Sequence, residues 1–187
     1  DAETRLRAYA LTPFVNLSRQ LAAYCSHRTS TFAARRAGAA VVSASAEHDC
    51  QCLLRFFGFL HRVQGVAAAE LDITYLARSD VGTKAQDFCQ WLEGTQQVRF
   101  NSISNYLSGI VSAMNYVYFE LNVDTEVLAL TPNPLEQVVN LRDQAHGKVK
   151  EQDLFEPNTV KGGWITWPQV QETRVAALDA LNTMPPD

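Results

Sequence analysis

Small polar side chains cluster at the start of one apolar repeat, directly after an arginine. Asn101, Ser102, Ser104 and Asn105 follow Arg99. Hydroxyl and amide groups can bind a phosphate or read the edge of a base, and a helix N-terminus adds the positive end of its dipole. Ser and Asn are also ordinary helix caps, so a solvated helix start without a partner explains the same residues. The rest of the chain must decide between these two interpretations.

Arginines are concentrated in the first third of the chain. Residues 1–65 hold eight Arg against four acids, whereas residues 66–187 hold eight Lys and Arg against sixteen acids. Because phosphates are bound mainly by Arg and Lys, we expect a nucleic-acid partner at the first part, while the acidic second part favours protein contacts. Chance clustering on a solvated surface explains the charge equally well. The arginines expected to meet phosphate are Arg28, Arg35, Arg36, Arg55, Arg62 and Arg99.

The cysteines and histidines predict neither a metal site nor a catalytic site. The four cysteines form no C-x-x-C pair, and the four histidines are scattered. Cys50 and Cys52 would point to different faces of a helix and cannot both bind one tetrahedral ion. We interpret the cysteines as reduced, partly buried thiols of an intracellular protein. Nucleotide-binding, zinc-protease and hydrolase motifs are absent, so we expect no cofactor and no catalysis by this chain alone.

Apolar residues recur at helical spacing along most of the chain. Between residues 101 and 121 they recur every three or four positions, which predicts a central helix of about five turns. Phe56, Phe57 and Phe59 lie at helical spacing among leucines and are expected in the core. Further helices are predicted from Pro13 to about Arg28, from a cap at Ser43 or Ser45 to about Gln64, from a cap at Ser79 or Asp80 to Gly94, and from about Leu135 to Lys150. Strand patterns are nearly absent, so the sequence predicts an all-α bundle of four to five helices.

The sequence divides into four segments. An N-terminal segment, 1–13, precedes the bundle at 14–121, and a connection with one helix occupies 122–163. A last helix, capped by Thr166, lies in 164–187 and forms a helical C-terminal extension. Arg55 and Arg62 are expected to point away from the apolar stripe of their helix. No run of about 18 apolar residues and no secretory signal pattern occurs, so neither a membrane protein nor an exported one is expected.

Three segments in a fixed order resemble the N-terminal core-binding domain of tyrosine recombinases, the phage-integrase family. They read R-F-F-G-F-L at 55–60, F-C-Q-W-L at 88–92 and R-F-N-S-I-S-N-Y-L-S-G-I at 99–110. Stretches at 36–46 and 162–170 are similar to eukaryotic members of the Crypton type. The resemblance implies a helical bundle that clamps duplex DNA while a separate domain does the chemistry. It implies no catalytic residue here, because only the helix at 164–187 would belong to that second domain.

Two functions from different classes follow from these patterns. A DNA-binding bundle would be intracellular and nuclear, with an organelle as the open alternative, and Arg55, Arg62 and Arg99 would converge on one concave face. The polar side chains of Asn101, Ser102, Ser104 and Asn105 would then enter a groove of the duplex. A non-catalytic scaffold protein would instead use the same bundle for protein contacts, which the acidic second part favours.

Overall fold

The fold is all-α, as predicted. The computed structural model describes residue 6, residues 8–33 and residues 39–155, with side chains up to residue 149. Those residues form no strand. Arg35, Arg36 and the predicted helix from Thr166 lie outside the described residues. Five α-helices of ten or more residues lie in the described part of the chain: α1, Val15–Thr29; α2, Ser43–Arg62; α3, Val81–Gln90; α4, Phe100–Asn115; and α5, Pro134–Phe155.

Short turns of other helical types complete the bundle. Trp91–Thr95 continues α3 and Tyr116–Glu120 continues α4, each as one π-helical turn. Ala68–Glu70, Ile73–Ala77 and Thr125–Ala129 are 3-10 turns in the connections. The predicted central helix is therefore confirmed over nearly its whole length.

Helices α2 and α4 form the central antiparallel pair. Asp49 lies beside Gly109, while Arg55, further along α2, bonds to Tyr106, which comes earlier in α4. Gly109 permits the close crossing: a Cβ atom there would lie 2.8 Å from the Cβ of Cys52 and 3.3 Å from the Cα of Asp49. Because the pair is antiparallel, the end of α2 and the start of α4 lie at the same end of the bundle.

Aromatic rings fill the core between α2, α3 and α4. The ring centroid of Phe88 lies 5.4 Å from that of Phe56, 5.3 Å from that of Phe59 and 6.4 Å from that of Tyr106. Trp91 stacks beside Phe88 at 6.0 Å. These rings are in the tilted or offset arrangements that aromatic pairs prefer. Phe56, Phe57 and Phe59 are therefore core residues, which confirms their assignment from the sequence.

The helix caps differ from those predicted. Val42 occupies the N-cap position of α2 without a side-chain cap bond, and Ser43 instead donates its hydroxyl hydrogen to Glu47 at 2.9 Å. Asp80 precedes α3, also without a side-chain cap bond. Gly65 follows α2 with φ of 74°, a left-handed conformation that Gly adopts without strain. Apolar periodicity located these helices. Asp80 occupies the N-cap position, one of the two predicted for α3, whereas Ser43 is the first residue inside α2, and neither helix has a side-chain cap bond.

The compact unit extends beyond residue 121, the predicted end of the bundle. It spans Asp1–Val149, and Lys150–Asp187 form a second unit, of which residues 150–155 are described. Helix α5 joins the first unit because Val138 and Ala145 are buried in its core. These two residues are separated by seven positions, or about two helical turns, and so lie on one face.

Candidate nucleic-acid interface

Polar side chains at the start of α4 are held at the surface. Arg99 occupies the N-cap position, and its carbonyl accepts hydrogen bonds from the backbone of Ser102 and Ile103 at 3.0 and 3.1 Å. No side-chain cap bond is formed. Asn101 and Asn105 are exposed, and Ser102 is half-buried. The Ser and Asn side chains therefore do not occupy the N-cap position, so helix capping does not explain why they are polar.

The same polar character continues along α4. Asn101, Asn105, Ser108, Ser112 and Asn115 are spaced by four, three, four and three residues, so they form one line on the helix surface. We call these five residues the polar stripe. At 1.5 Å per residue it is about 21 Å long, or about six base-pair steps of 3.4 Å. It holds five groups that can both donate and accept hydrogen bonds, and no charge.

Two residues of the polar stripe already bond to their own helix. Ser108 donates its hydroxyl hydrogen to the carbonyl of Ser104 at 2.9 Å, and the Asn115 amide donates to the carbonyl of Val111 at 3.0 Å. These contacts fix each side chain along the helix. The oxygen of each side chain can still accept a hydrogen bond. The polar stripe is therefore partly preorganised.

A cleft of about 290 Å³ lies beside the second half of the polar stripe. Helix α1 contributes His27 and Arg28, α5 contributes Arg142, and the π-turn after α4 contributes Glu120. The Nδ1 atom of His27 lies 3.9 Å from the Oε2 atom of Glu120. The Arg142 guanidinium donates to Asp143 at 2.8 and 2.9 Å in an exposed pair. The cleft thus mixes both signs of charge, and both of its arginines have acidic neighbours.

A hydrogen-bonded cluster anchors Arg28 at the edge of the cleft. Its Nε and Nη2 lie 3.2 and 3.1 Å from the Asp49 carboxylate, which also accepts a hydrogen bond from the Tyr24 hydroxyl at 3.0 Å. Burial raises the pKa of Asp49, although the bonds from Tyr24 and Arg28 act in the opposite direction. Burial, followed by the charge of Asp49, raises the pKa of Tyr24 as well. Arg28 is thus rigidly placed, and its charge is largely balanced.

The prediction that Arg55 faces away from the core is wrong. Arg55 is only 7% exposed and donates to the Tyr106 hydroxyl at 2.9 Å. Its guanidinium also lies 5.1 Å from the centre of the Tyr106 ring. Helix α2 is buried on nearly all sides from Cys52 to Leu60, so no solvent-facing side exists at this position. Arg55 therefore joins α2 to α4 and cannot meet a phosphate in this conformation.

The prediction that Ser104 can reach a DNA groove is also wrong. It is 8% exposed, because residues 104, 107 and 111 lie on the same face of α4 and Leu107 and Val111 are core residues. Of the predicted arginines, Arg62 and Arg99 are exposed. Arg62 donates to the carbonyl of Ala8. The antiparallel pairing places Arg62 and Arg99 at one end of the bundle, but the predicted convergence of three arginines does not occur.

Sequence reasoning missed the far half of the candidate interface. Ser112, Asn115 and His27 lie at positions that the apolar pattern left unexplained, and Arg142 was assigned to a helix beyond the bundle. The spacing of Asn101, Asn105 and Ser108 could have been extended to residues 112 and 115. The cleft itself depends on how α1 and α5 pack, which no local pattern shows.

No group of three or more metal-binding side chains occurs among the described residues. Over the same part of the chain, no helix combines the length and apolar character needed to cross a bilayer. No protein-family model matches the chain, and no curated protein or solved structure is significantly similar to it. The resemblance to recombinase core-binding domains thus stays a prediction, and the function has to be argued from the surface just described.

Proposed function

We propose that the bundle binds duplex DNA without catalysis of its own, through the polar stripe of α4. The observation that carries the proposal is the line of five Asn and Ser side chains with cations near both halves. Arg99 precedes its first residue, and Arg28 and Arg142 line the cleft beside its second half. Uncharged amides and hydroxyls can approach base edges and phosphates without the cost of removing a charge from water.

The electrostatics predict weak binding. Residues 8–33 and 39–149 hold nine Lys and Arg against twelve Asp and Glu, so the described bundle has a net charge of 9 − 12 = −3. Arg28 is balanced by Asp49, and Arg142 by Asp143. If Arg62, Arg99 and Arg142 contact phosphates, the slope of log affinity against log salt concentration should be about −3.

The test replaces two exposed amides of the polar stripe with acids. Asn101→Glu with Asn105→Glu should lower the affinity for a fluorescent duplex by about tenfold or more at low salt, because two charges now repel phosphates. The matched control is Gln86→Glu with Gln90→Glu, which makes the same change at two exposed amides of α3. Circular dichroism checks that both variants keep their helices. Equal affinities of the two variants, or no binding by the wild type, would refute DNA binding through this stripe.

A scaffold function is the second candidate, and exposed apolar side chains favour it. Phe119 is 49% exposed and Leu121 is 39% exposed, both directly after α4, and Leu130 is 50% exposed. Exposed apolar side chains mark protein contacts where they form one contiguous patch. If the wild type fails to bind DNA, binding to a purified protein partner should be lost in Phe119→Ser with Leu121→Ser. The Asn101→Glu and Asn105→Glu changes should leave that binding intact.

A further inference from the structure

Two thiols from neighbouring helices face each other inside the first unit. The Sγ atoms of Cys25 in α1 and Cys50 in α2 are 3.0 Å apart, and both cysteines are free in this structure. A disulfide needs an S–S distance of about 2.05 Å, so the sulfurs must approach by only about 1 Å. Small rotations of the two side chains can supply that movement.

The surroundings hold the two cysteines in register. Each is next in sequence to a member of one hydrogen-bonded cluster: Tyr24 precedes Cys25, and Asp49 precedes Cys50. The Tyr24 hydroxyl donates to Asp49 at 3.0 Å, and Arg28 binds the same carboxylate. Because these contacts join α1 to α2 close to the thiols in sequence, the sulfur pair is part of a fixed helix contact.

The two sulfurs differ in access. Cys25 is half-buried, so a small oxidant can reach it, whereas Cys50 is 8% exposed. Burial raises the pKa of Cys50, with smaller contributions from its contact with Cys25 and from the charge of Asp49. Cys25 is therefore the thiol that meets an oxidant first, and Cys50 is the one that completes the bond.

We propose that Cys25 and Cys50 form a reversible disulfide when the protein meets a peroxide. The Cys25 thiolate attacks one oxygen of hydrogen peroxide, the O–O bond breaks, and Cys25 becomes a sulfenic acid as hydroxide leaves. The Cys50 sulfur then attacks the Cys25 sulfur, the S–O bond breaks, and water leaves. In total, the two thiols lose two electrons and two protons, and the peroxide is reduced to two water molecules.

The disulfide should stiffen the attachment of α1. The cysteines are 25 positions apart, and closing a loop of that size removes conformational freedom from the unfolded chain. For a chain of this length we expect the melting temperature to rise by roughly 5 to 10 °C. The α1 helix carries His27 and Arg28, so the bond would also fix one wall of the cleft.

The experiment treats the full chain with hydrogen peroxide, blocks the remaining thiols and identifies linked peptides by mass spectrometry. We expect one intramolecular link between Cys25 and Cys50, a higher melting temperature, and reversal of both by dithiothreitol. Cys25→Ser and Cys50→Ser should each lose both effects. Cys89→Ser is the matched control and should keep them, since Cys89 lies in α3 and burial raises its pKa to about 12.

Several results would overturn the inference. They are the absence of the Cys25–Cys50 link in the wild type, a link between two chains instead, and oxidation of Cys25 to a sulfinic acid without a link. The presence or absence of the linked peptide in the wild type tests the inference even if a serine variant fails to fold. None of these readouts involves DNA, so the disulfide can fail while DNA binding stands, and the reverse also holds.

Discussion

The two sides of α2 are both buried, but different forces hold them. Toward α3, Phe56 and Phe59 pack against Phe88 through ring contacts. Toward α1, the Asp49 carboxylate is bound by Tyr24 and Arg28. The hydrophobic effect that drives the burial of these rings is non-directional, and it is roughly proportional to the apolar area removed from water. The polar cluster is directional, because a buried carboxylate is tolerated only when its hydrogen-bond partners are in place.

Substitutions on the two sides of α2 should therefore have different effects: on one side they change stability alone, and on the other they also change the candidate interface. Phe56, Phe59 and Phe88 are buried and do not line the cleft, so changes there should act on the whole fold. The polar side adjoins the cleft, because Arg28, which binds Asp49, also lines the cleft. His27 lines it as well, and its ring centroid lies 4.9 Å from that of Tyr116. Its residues therefore affect both the folding of α1 and the placement of the candidate interface.

The largest effect is expected on the aromatic side. Phe88→Ala should lower the free energy of unfolding by about 3 to 5 kcal/mol, because it removes a fully buried ring and leaves a cavity among four others. Urea unfolding followed by circular dichroism measures the loss. Phe32→Ala is the control: the same side chain is removed where it is 91% exposed, and the change should be within about 0.5 kcal/mol. Similar losses in both variants would contradict the assigned core.

The crossing of α2 and α4 should also be sensitive to substitution. Gly109→Ala forces a Cβ atom to within 2.8 Å of the Cβ of Cys52, so the helices must separate slightly. We expect a loss of about 1 to 3 kcal/mol, as for other overpacked sites. Gly147→Ala in α5 is the control, since nothing lies within 4 Å of its added Cβ. It should stabilise by up to about 1 kcal/mol through helix propensity.

Unfolding of both glycine variants in urea makes this comparison direct. A stabilised Gly109→Ala protein would mean that α2 and α4 do not cross as closely as the structure shows.

The buried arginine gives a sharper test of the polar interior. Tyr106→Phe keeps the ring below Arg55 but removes the hydroxyl that accepts its hydrogen bond at 2.9 Å. We expect the free energy of unfolding to fall by about 1.5 to 3 kcal/mol, the usual range for a bond to a charged group. Tyr75→Phe is the control, because its ring lies 4.9 Å from Arg78, which is exposed.

Urea unfolding again supplies the measurement for both tyrosine variants. Tyr75→Phe should change stability by less than about 0.5 kcal/mol. Equal effects at the two positions would show that the Arg55 contact contributes nothing special.

Periodicity alone predicted the helices, because each buries one apolar stripe. The stripes of α1, α2 and α4 are strong, and these helices lie where the sequence placed them. Arg55 was misjudged because periodicity assumes that one helix face meets solvent, whereas the middle of α2 is covered on nearly all sides. A charged side chain at such a position depends on a partner from another helix, here Tyr106, which no local pattern identifies.

The candidate site was predicted in part for the same reason. Arg99, Asn101 and Asn105 are close in sequence, so local reasoning found them together. The cleft joins α1, the end of α4 and α5, which are far apart in the chain. Its residues become visible only when long-range packing is known. The pairing of Arg28 with Asp49 is likewise a long-range contact, and it balances one of the six arginines on which the DNA prediction was based.

The smallest expected effect is a pH dependence on the polar side. Burial raises the pKa of Asp49 above its ordinary value near 3.8. A raised pKa in the folded state means that the contribution of this group to stability is fully present below about 3.8. That contribution is then lost as the pH rises through the higher folded pKa. A single group changes stability by at most about 1.4 kcal/mol per pH unit.

The comparison that isolates this effect is wild type against Asp49→Asn, in which the side chain cannot ionise. The free energy of unfolding of wild type minus that of Asp49→Asn should fall as the pH rises from about 4 to about 7, because only the wild type must bury a charge there. Urea unfolding at several pH values measures the difference, and titrating groups elsewhere cancel between the two proteins. A difference that rises with pH would mean that the Arg28 contact outweighs burial and lowers the pKa of Asp49. The ion pair with Arg28 would then stabilise the Asp49 carboxylate by more than burial destabilises it.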